Sequence, residues 1–189
     1  PSSKEKWMQL AETAIQILKA EFGIHEDVNM AIGGNIPIGC GLSSSAAFVI
    51  SIADAFCSLF SINIRGRKLA VLCQKIEKNA LGITCGLLDQ YGIILSKINQ
   101  CMVIDFQDDE IEYLPTSLHG CSWVVVNSCI QRELSESAYI QRVNECKMGL
   151  EILKEIFTIV SVRDINQSML KELQSEHIEL YKRLRHVIE

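Results

Sequence analysis

"GNIPIGCGLSSSAA", residues 34–47, sets three glycines, a proline and three consecutive serines directly before an apolar run. Upstream, Val28, Met30 and Ile32 alternate with Asn29 and Ala31, the period of a strand. Downstream, the chain from Ser44 to Phe60 is apolar almost all round, as a buried helix is. A strand, a flexible loop and a helix start together predict an anion site. The free N–H groups of a first helical turn point outward, and the helix dipole favours negative charge there. Glycine lets the backbone approach a phosphate closely. Serine hydroxyls donate to phosphate oxygens or face a hydrated Mg2+. The same residues also suit an ordinary serine-capped helix after a glycine turn. Two other loops fit worse. A P-loop ends in Gly-Lys-Ser/Thr, and no lysine lies between Gly33 and Ser61. The hydrolase elbow G-x-S-x-G fails because Ser45 stands in its last position.

Working outward, Trp7, Leu10, Ala14, Ile17 and Leu18 share one face of a helix predicted over residues 4–22. "NIRG", residues 63–66, ends the apolar helix. Leu69, Leu72, Cys73, Ile76 and Ala80 mark another amphipathic helix, and Gly82 stands where its C-terminal cap belongs. "LGITCGLLDQYG" reads as a loop opening into a short apolar turn or helix. "CMVIDF" and "CSWVVVN" read as strands. The segment from Pro115 to Gly120 lies between them and predicts a domain boundary, giving parts 1–118 and 119–189. Beyond it, Tyr139, Val143, Cys146, Leu150, Leu153 and Phe157 recur at helical spacing. A last helix carries Ile178, Tyr181, Leu184 and Ile188.

Two acids stand out. Asp89 lies among leucines in the glycine-bounded "CGLLDQ", a setting that could hold a carboxylate beside a substrate hydroxyl; a loop or helix-capping aspartate reads from the same residues. Glu77 is the one acid of "VLCQKIEKNA", and taken alone it is a solvated helix glutamate.

The composition limits the partners. With 189 residues, 48% hydrophobic and 22% charged, the chain can build a large core. A formal net charge of −5, with no basic stripe, argues against nucleic acid. No apolar run reaches the ~18 residues of a membrane span, and "PSSKEKWMQ" lacks the apolar stretch of a signal peptide. Cysteines 40, 57, 73, 85, 101, 121, 129 and 146 form no C-x-x-C pair and no zinc-spaced cluster. Most lie in apolar segments, which predicts a reduced, cytoplasmic chain.

Three stretches resemble the GHMP family of small-molecule kinases, and within it the galactokinases. "PIGCGLSSSAA" is similar to that family's second motif, P-x-x-x-G-L-S-S-S-A. "CQKIEKNALGITCGLLDQYG" resembles C-Q-x-x-E-x-x-x-x-G-x-x-C-G-x-x-D-Q. "VVVNSCIQRELSESAYIQRVNEC" resembles V-x-x-N-S/T-N-x-R-x-x-L-x-x-S-x-Y-x-x-R-x-x-E-C. The resemblance implies transfer of the ATP γ-phosphate to a sugar C1 hydroxyl. It implies that Gly39, Gly41, Leu42, Ser43, Ser44 and Ser45 cradle the phosphates and that Ser45 and Glu77 hold Mg2+. Asp89 would stand at the C1 hydroxyl as general base or electrostatic positioner, Gly86 and Tyr139 would contact the sugar, and Trp7 would lie against adenine.

The departures shape the expectation as much. No segment resembles the galactokinase opening G-R-V-N-x-I-G-E-H-x-D-Y, which brings the arginine that accompanies the catalytic aspartate, and no glycine-rich third motif follows. "CIQ" stands where galactokinases carry N-x-R, with Arg132 one place later, and "GLLDQYGIILS" is also similar to galacturonate kinases. The chain thus reads as α+β, part of a GHMP-kinase-like two-domain fold: the end of a phosphate-binding N-terminal domain and the start of a C-terminal one. Galactose, galacturonate or another pyranose is the expected substrate of the complete protein, and a non-catalytic sugar and nucleotide sensor is the alternative. The chain alone is expected to be inactive and prone to self-association.

Overall fold

The computed structural model describes residues 3–82, 85–117, 120–129 and 138–189. Chain contacts divide it into two units, Pro1–Ser135 and Glu136–Glu189. The boundary expected at 118/119 falls on residues outside those described, as does Arg132.

The first unit is built on three helices in mutual contact, α1 (Ser3–Phe22), α2 (Ser44–Leu59) and α3 (Gly66–Leu81). Leu10, Ala14 and Leu18, each one turn apart on α1, meet Val49, Ile52, Ala53 and Phe56 of α2 and Leu69, Leu72, Cys73 and Ile76 of α3 in one core. Burying side chains of this size contributes about 1.5–3 kcal/mol each. α3 stops where the sequence predicts: Gly82 takes the left-handed conformation (φ 64°) and its N–H donates to Lys78 O. α2 is less enclosed than its composition suggests. Ser51, Asp54, Ala55, Ser58 and Leu59 face solvent, because the helix layer covers one side only; Asp54 pairs with Arg65 at 2.8 Å.

A short helix, α4 (Leu88–Ile94), packs on α2 and α3. It leads into an antiparallel hairpin of β1 (Gln100–Asp105) and β2 (Glu110–Pro115), with register from Gln100↔Pro115 to Asp105↔Glu110. Asp105 Oδ1 accepts from the N–H groups of Gln107 and Asp108 and shapes the turn. The hairpin end is tied to the helices through Asp109. Its carboxylate pairs with Arg67 of α3 at 3.0 Å and accepts from the buried Tyr91 hydroxyl of α4 at 2.8 Å. Asp109 thus links α3, α4 and the hairpin turn.

Two expected strands are not formed. Val28–Ile32 and Cys121–Asn127 run without ladder partners, and the one sheet among the described residues is the hairpin. The reason is physical: a helix satisfies its backbone within itself, whereas a strand needs a neighbour. Both segments are left with apolar side chains in water, Val124, Val125 and Val126 at 77%, 80% and 83% exposure. The predicted sheet with helices on one side is therefore a two-stranded hairpin beside helices, and the described part of the second unit is helical throughout.

The second unit comprises α5 (Ala138–Ile156), a 3-10 turn (Val162–Asp164), α6 (Gln167–Gln174) and α7 (Ile178–Ile188). Its core is Leu153, Ile165, Leu170, Leu173 and Leu184. α6 was not foreseen from the sequence; Asn166, whose side chain accepts from the N–H groups of Ser168 and Met169, is the cap that signals it. α7 comes close to α5 at Gly149, where an added Cβ would fall 2.6 Å from Leu184 Cδ1. Glu145 and Arg183 join the same two helices by an ion pair of 2.7 Å. No helix among the described residues is long and apolar enough to cross a membrane.

Candidate functional site

The loop before α2 carries an unusual backbone. Gly39, Gly41 and Ser43 all have positive φ (74°, 72° and 54°), while Cys40 and Leu42 between them do not. Alternation of hand along consecutive residues turns successive N–H groups to one side, the arrangement of an anion-binding nest. Two of the three positions are glycine, which takes this conformation freely. Ser43 is not, and left-handed backbone in a non-glycine residue costs about 1–3 kcal/mol.

Ser43 occupies the N-cap position of α2 yet makes no side-chain capping bond, and the first turn contains no acid. The ordinary capped helix that the sequence left open is therefore not what forms. The N–H groups of the first turn keep their capacity for an outside acceptor. The loop is tethered by Cys40, whose Sγ accepts from Asn127 Nδ2 at 3.4 Å.

Behind this helix start lies Glu77, and it is not solvated. It is 3% exposed. Its neighbours are Ser45, whose hydroxyl lies near enough to draw the carboxyl pKa down, and Gln90, whose Nε2 donates to Oε2 at 2.7 Å. Both are neutral, and among the described residues no lysine or arginine forms an ion pair with Glu77. Burial accordingly pushes its pKa up; the Ser45 and Gln90 hydrogen bonds oppose the shift and the Asp89 charge adds to it. Gln90, 1% exposed, has a second feature: its Oε1 has no hydrogen-bond partner among the described residues.

This donor set suits a hard cation. A serine hydroxyl and a buried carboxylate sit side by side without a compensating charge, next to an orphaned amide oxygen. No group of three or more His, Cys, Asp and Glu residues converges among the described residues. That is compatible with Mg2+, which takes one or two protein oxygens and completes its shell with phosphates and water.

The other expected residues fall into place unevenly. Asp89 lies in the first turn of α4, exposed, one residue from Gln90. Gly86 precedes it in an exposed stretch held by Gln74 of α3, whose Nε2 donates to Cys85 O at 2.9 Å. Ser45, Glu77, Asp89 and their loops thus form one neighbourhood. Trp7 packs edge-on against Phe48 of α2, ring centroids 4.6 Å apart, one turn beyond the serines. Tyr139 belongs to the second unit, where it lines a groove with Arg142, Val143, Cys146 and Arg183. The residue that sequence reasoning missed is Gln90; an uncharged polar residue set between Asp89 and a tyrosine in an apolar run was its only signal.

Residues 9–97, which hold the serine loop, Glu77 and Asp89, match the model of the GHMP kinases N terminal domain. The chain is galactokinase-like. It is 32% identical over 164 residues to a galactokinase of Thermosipho africanus, covering 87% of this chain and 45% of that protein. With a galactokinase of Halalkalibacterium halodurans the identity is 35% over 158 residues, covering 82% and 40%. A galactokinase of Roseiflexus sp. is 32% identical over 188 residues, covering 98% and 48%. The galactokinase-like fold is seen directly in a crystal structure of Lactococcus lactis galactokinase complexed with galactose. That structure superposes with a TM-score of 0.75 at 25% identity, over 96% of this chain and 48% of that one. The chain spans less than half the length of these relatives.

Proposed function

We propose that the protein containing this galactokinase-like chain transfers the γ-phosphate of ATP to the C1 hydroxyl of galactose or a related pyranose. One observation carries the reading: a buried, uncompensated Glu77 beside Ser45, which stands at the start of an uncapped helix that follows a nest-like loop. The backbone N–H groups from Gly39 to Ser45 bind the phosphate tail. Ser45 and Glu77 hold Mg2+, which when bound neutralises charge on the phosphates. Asp89 is exposed and free to meet a substrate; it orients the C1 hydroxyl and takes up or stabilises its proton as the oxygen attacks. Gly86 and Tyr139 contact the sugar, and Trp7 lies toward the adenine. Phosphoryl transfer demands positioning and charge neutralisation more than covalent chemistry, and this constellation offers both.

The setting is cytoplasmic, without a nucleic-acid or membrane partner. Because the chain covers less than half of each of these relatives, the transfer is assigned to the complete protein and not to this chain in isolation.

Asp89→Asn in the complete protein tests the assignment. A positioned general base is worth about 10²–10⁴-fold, so kcat should fall by that much while ATP affinity, measured by calorimetry, stays unchanged. A near-normal kcat would show that Asp89 has no part in the chemistry.

A further inference from the structure

Gln90 has an arrangement that packing alone does not account for. Its side chain is 1% exposed, between the exposed Asp89 and the buried Tyr91 on α4. One end is used: Nε2 donates to Glu77 Oε2 at 2.7 Å. The other end, Oε1, is buried without a partner among the described residues. Buried polar atoms are almost always satisfied, so an orphan of this kind calls for a missing partner. Exchanging the two ends of the amide does not help, since it would set Oε1 against an acceptor of the Glu77 carboxylate. The oxygen is an acceptor only, and what completes it is a donor or a cation. Mg2+ gives up its water shell reluctantly and keeps several waters, each a strong donor.

We propose that Gln90 is a positioning residue of the cation site: its N–H fixes the ligating carboxylate of Glu77, and its Oε1 accepts a hydrogen bond from a water in the cation's shell. The inference rests on the reading of Ser45 and Glu77 as the ligands. Residues behind the ligands orient them, and removing one typically costs 10–100-fold in metal affinity. The anchoring of α4 supports the role. Tyr91, next in sequence, is fixed through Asp109 to Arg67, and this places Gln90 with little freedom.

The test is ATP binding by calorimetry, without sugar, with and without Mn2+ as the probe for the divalent site. In the parent protein Mn2+ should tighten ATP binding, and Glu77→Gln should abolish the gain. Gln90→Met keeps the shape but loses both polar ends. It should weaken Mn2+ binding by 10–100-fold while metal-free ATP affinity stays at the parent value, which a general loss of structure would not allow. Gln90→Asn keeps the amide on a stem one methylene shorter, which cannot reach Glu77 and the shell water together, and should weaken the Mn2+ gain as well. It also decides the matter if Gln90→Met proves unfolded. If Glu77→Gln loses the gain while both Gln90 variants respond as the parent does, the role of Gln90 is overturned and the ligand assignment stands. If the parent itself shows no Mn2+ dependence, the ligand assignment fails and the proposal with it.

Discussion

The helix layer and the two unpaired extended segments of the first unit are made of similar residues and end in opposite conditions. In α1–α3 the large apolar side chains close on one another; Phe56 is 1% exposed and Ile76 wholly buried. In the segments around Met30 and Val125 comparable side chains stand in water, and Trp123 is 74% exposed. A helix requires only its own chain for backbone hydrogen bonds, so three helices suffice to bury a face. A β-branched segment requires another strand, and neither segment finds one among the described residues. Apolar surface of this kind marks a contact to be made.

The largest effect expected from this contrast is all-or-none. The isolated chain should associate with itself in sizing chromatography and produce no sugar phosphate from MgATP with galactose, galacturonate or arabinose. Val124→Lys with Val126→Lys should shift it toward monomer by charging the open edge. A monodisperse parent chain that turns over at about 1 s⁻¹, the low end for kinases, would overturn the expectation.

Next in size is the pair Phe56→Ala and Val125→Ala. Emptying the site of a buried phenylalanine costs about 3–5 kcal/mol, whereas an exposed substitution lies within roughly ±0.5 kcal/mol. Urea unfolding at fixed protein concentration measures both. Equal losses would mean that Val125 is covered.

The smallest effect belongs to Glu77. Its pKa is raised in the folded chain, so between the unfolded and folded values the folded state holds more protons. Stability therefore falls as pH rises through that window. In metal-free solution Glu77→Gln should melt a few degrees above the parent at pH 7–8, at about 2–4 °C per kcal/mol. The gap should close as pH drops below about 4, the ordinary glutamate range. A gap that does not change with pH would remove burial of the charge as its cause.

The same contrast explains which features were legible in the sequence. α1, α2, α3, α5 and α7 announce themselves because their periodicity and caps are local. The hairpin was half visible: "CMVIDF" reads as a strand, but its partner "EIEYLP" carries three acidic or proline interruptions and gains its strand character only from the pairing. At the site, the glycines and serines of residues 39–45 pointed to the anion loop directly. Glu77 stood out as the one acid of its segment but read alone as a solvated glutamate, since burial depends on which helix start lies opposite; only the family resemblance implied a ligand there. Gln90 escaped altogether because its orphaned oxygen is a property of three elements meeting.

Gly149 carries a consequence for motion. It is a notch in α5 that receives Leu184 of α7, where even a methyl group would collide. A notch accepts its knob at one height only. Sliding α7 along α5 by one turn, about 5.4 Å, would press Leu184 against a residue that has a side chain. The notch favours one height of α7 against α5, and the Glu145–Arg183 ion pair latches the same two helices beside it.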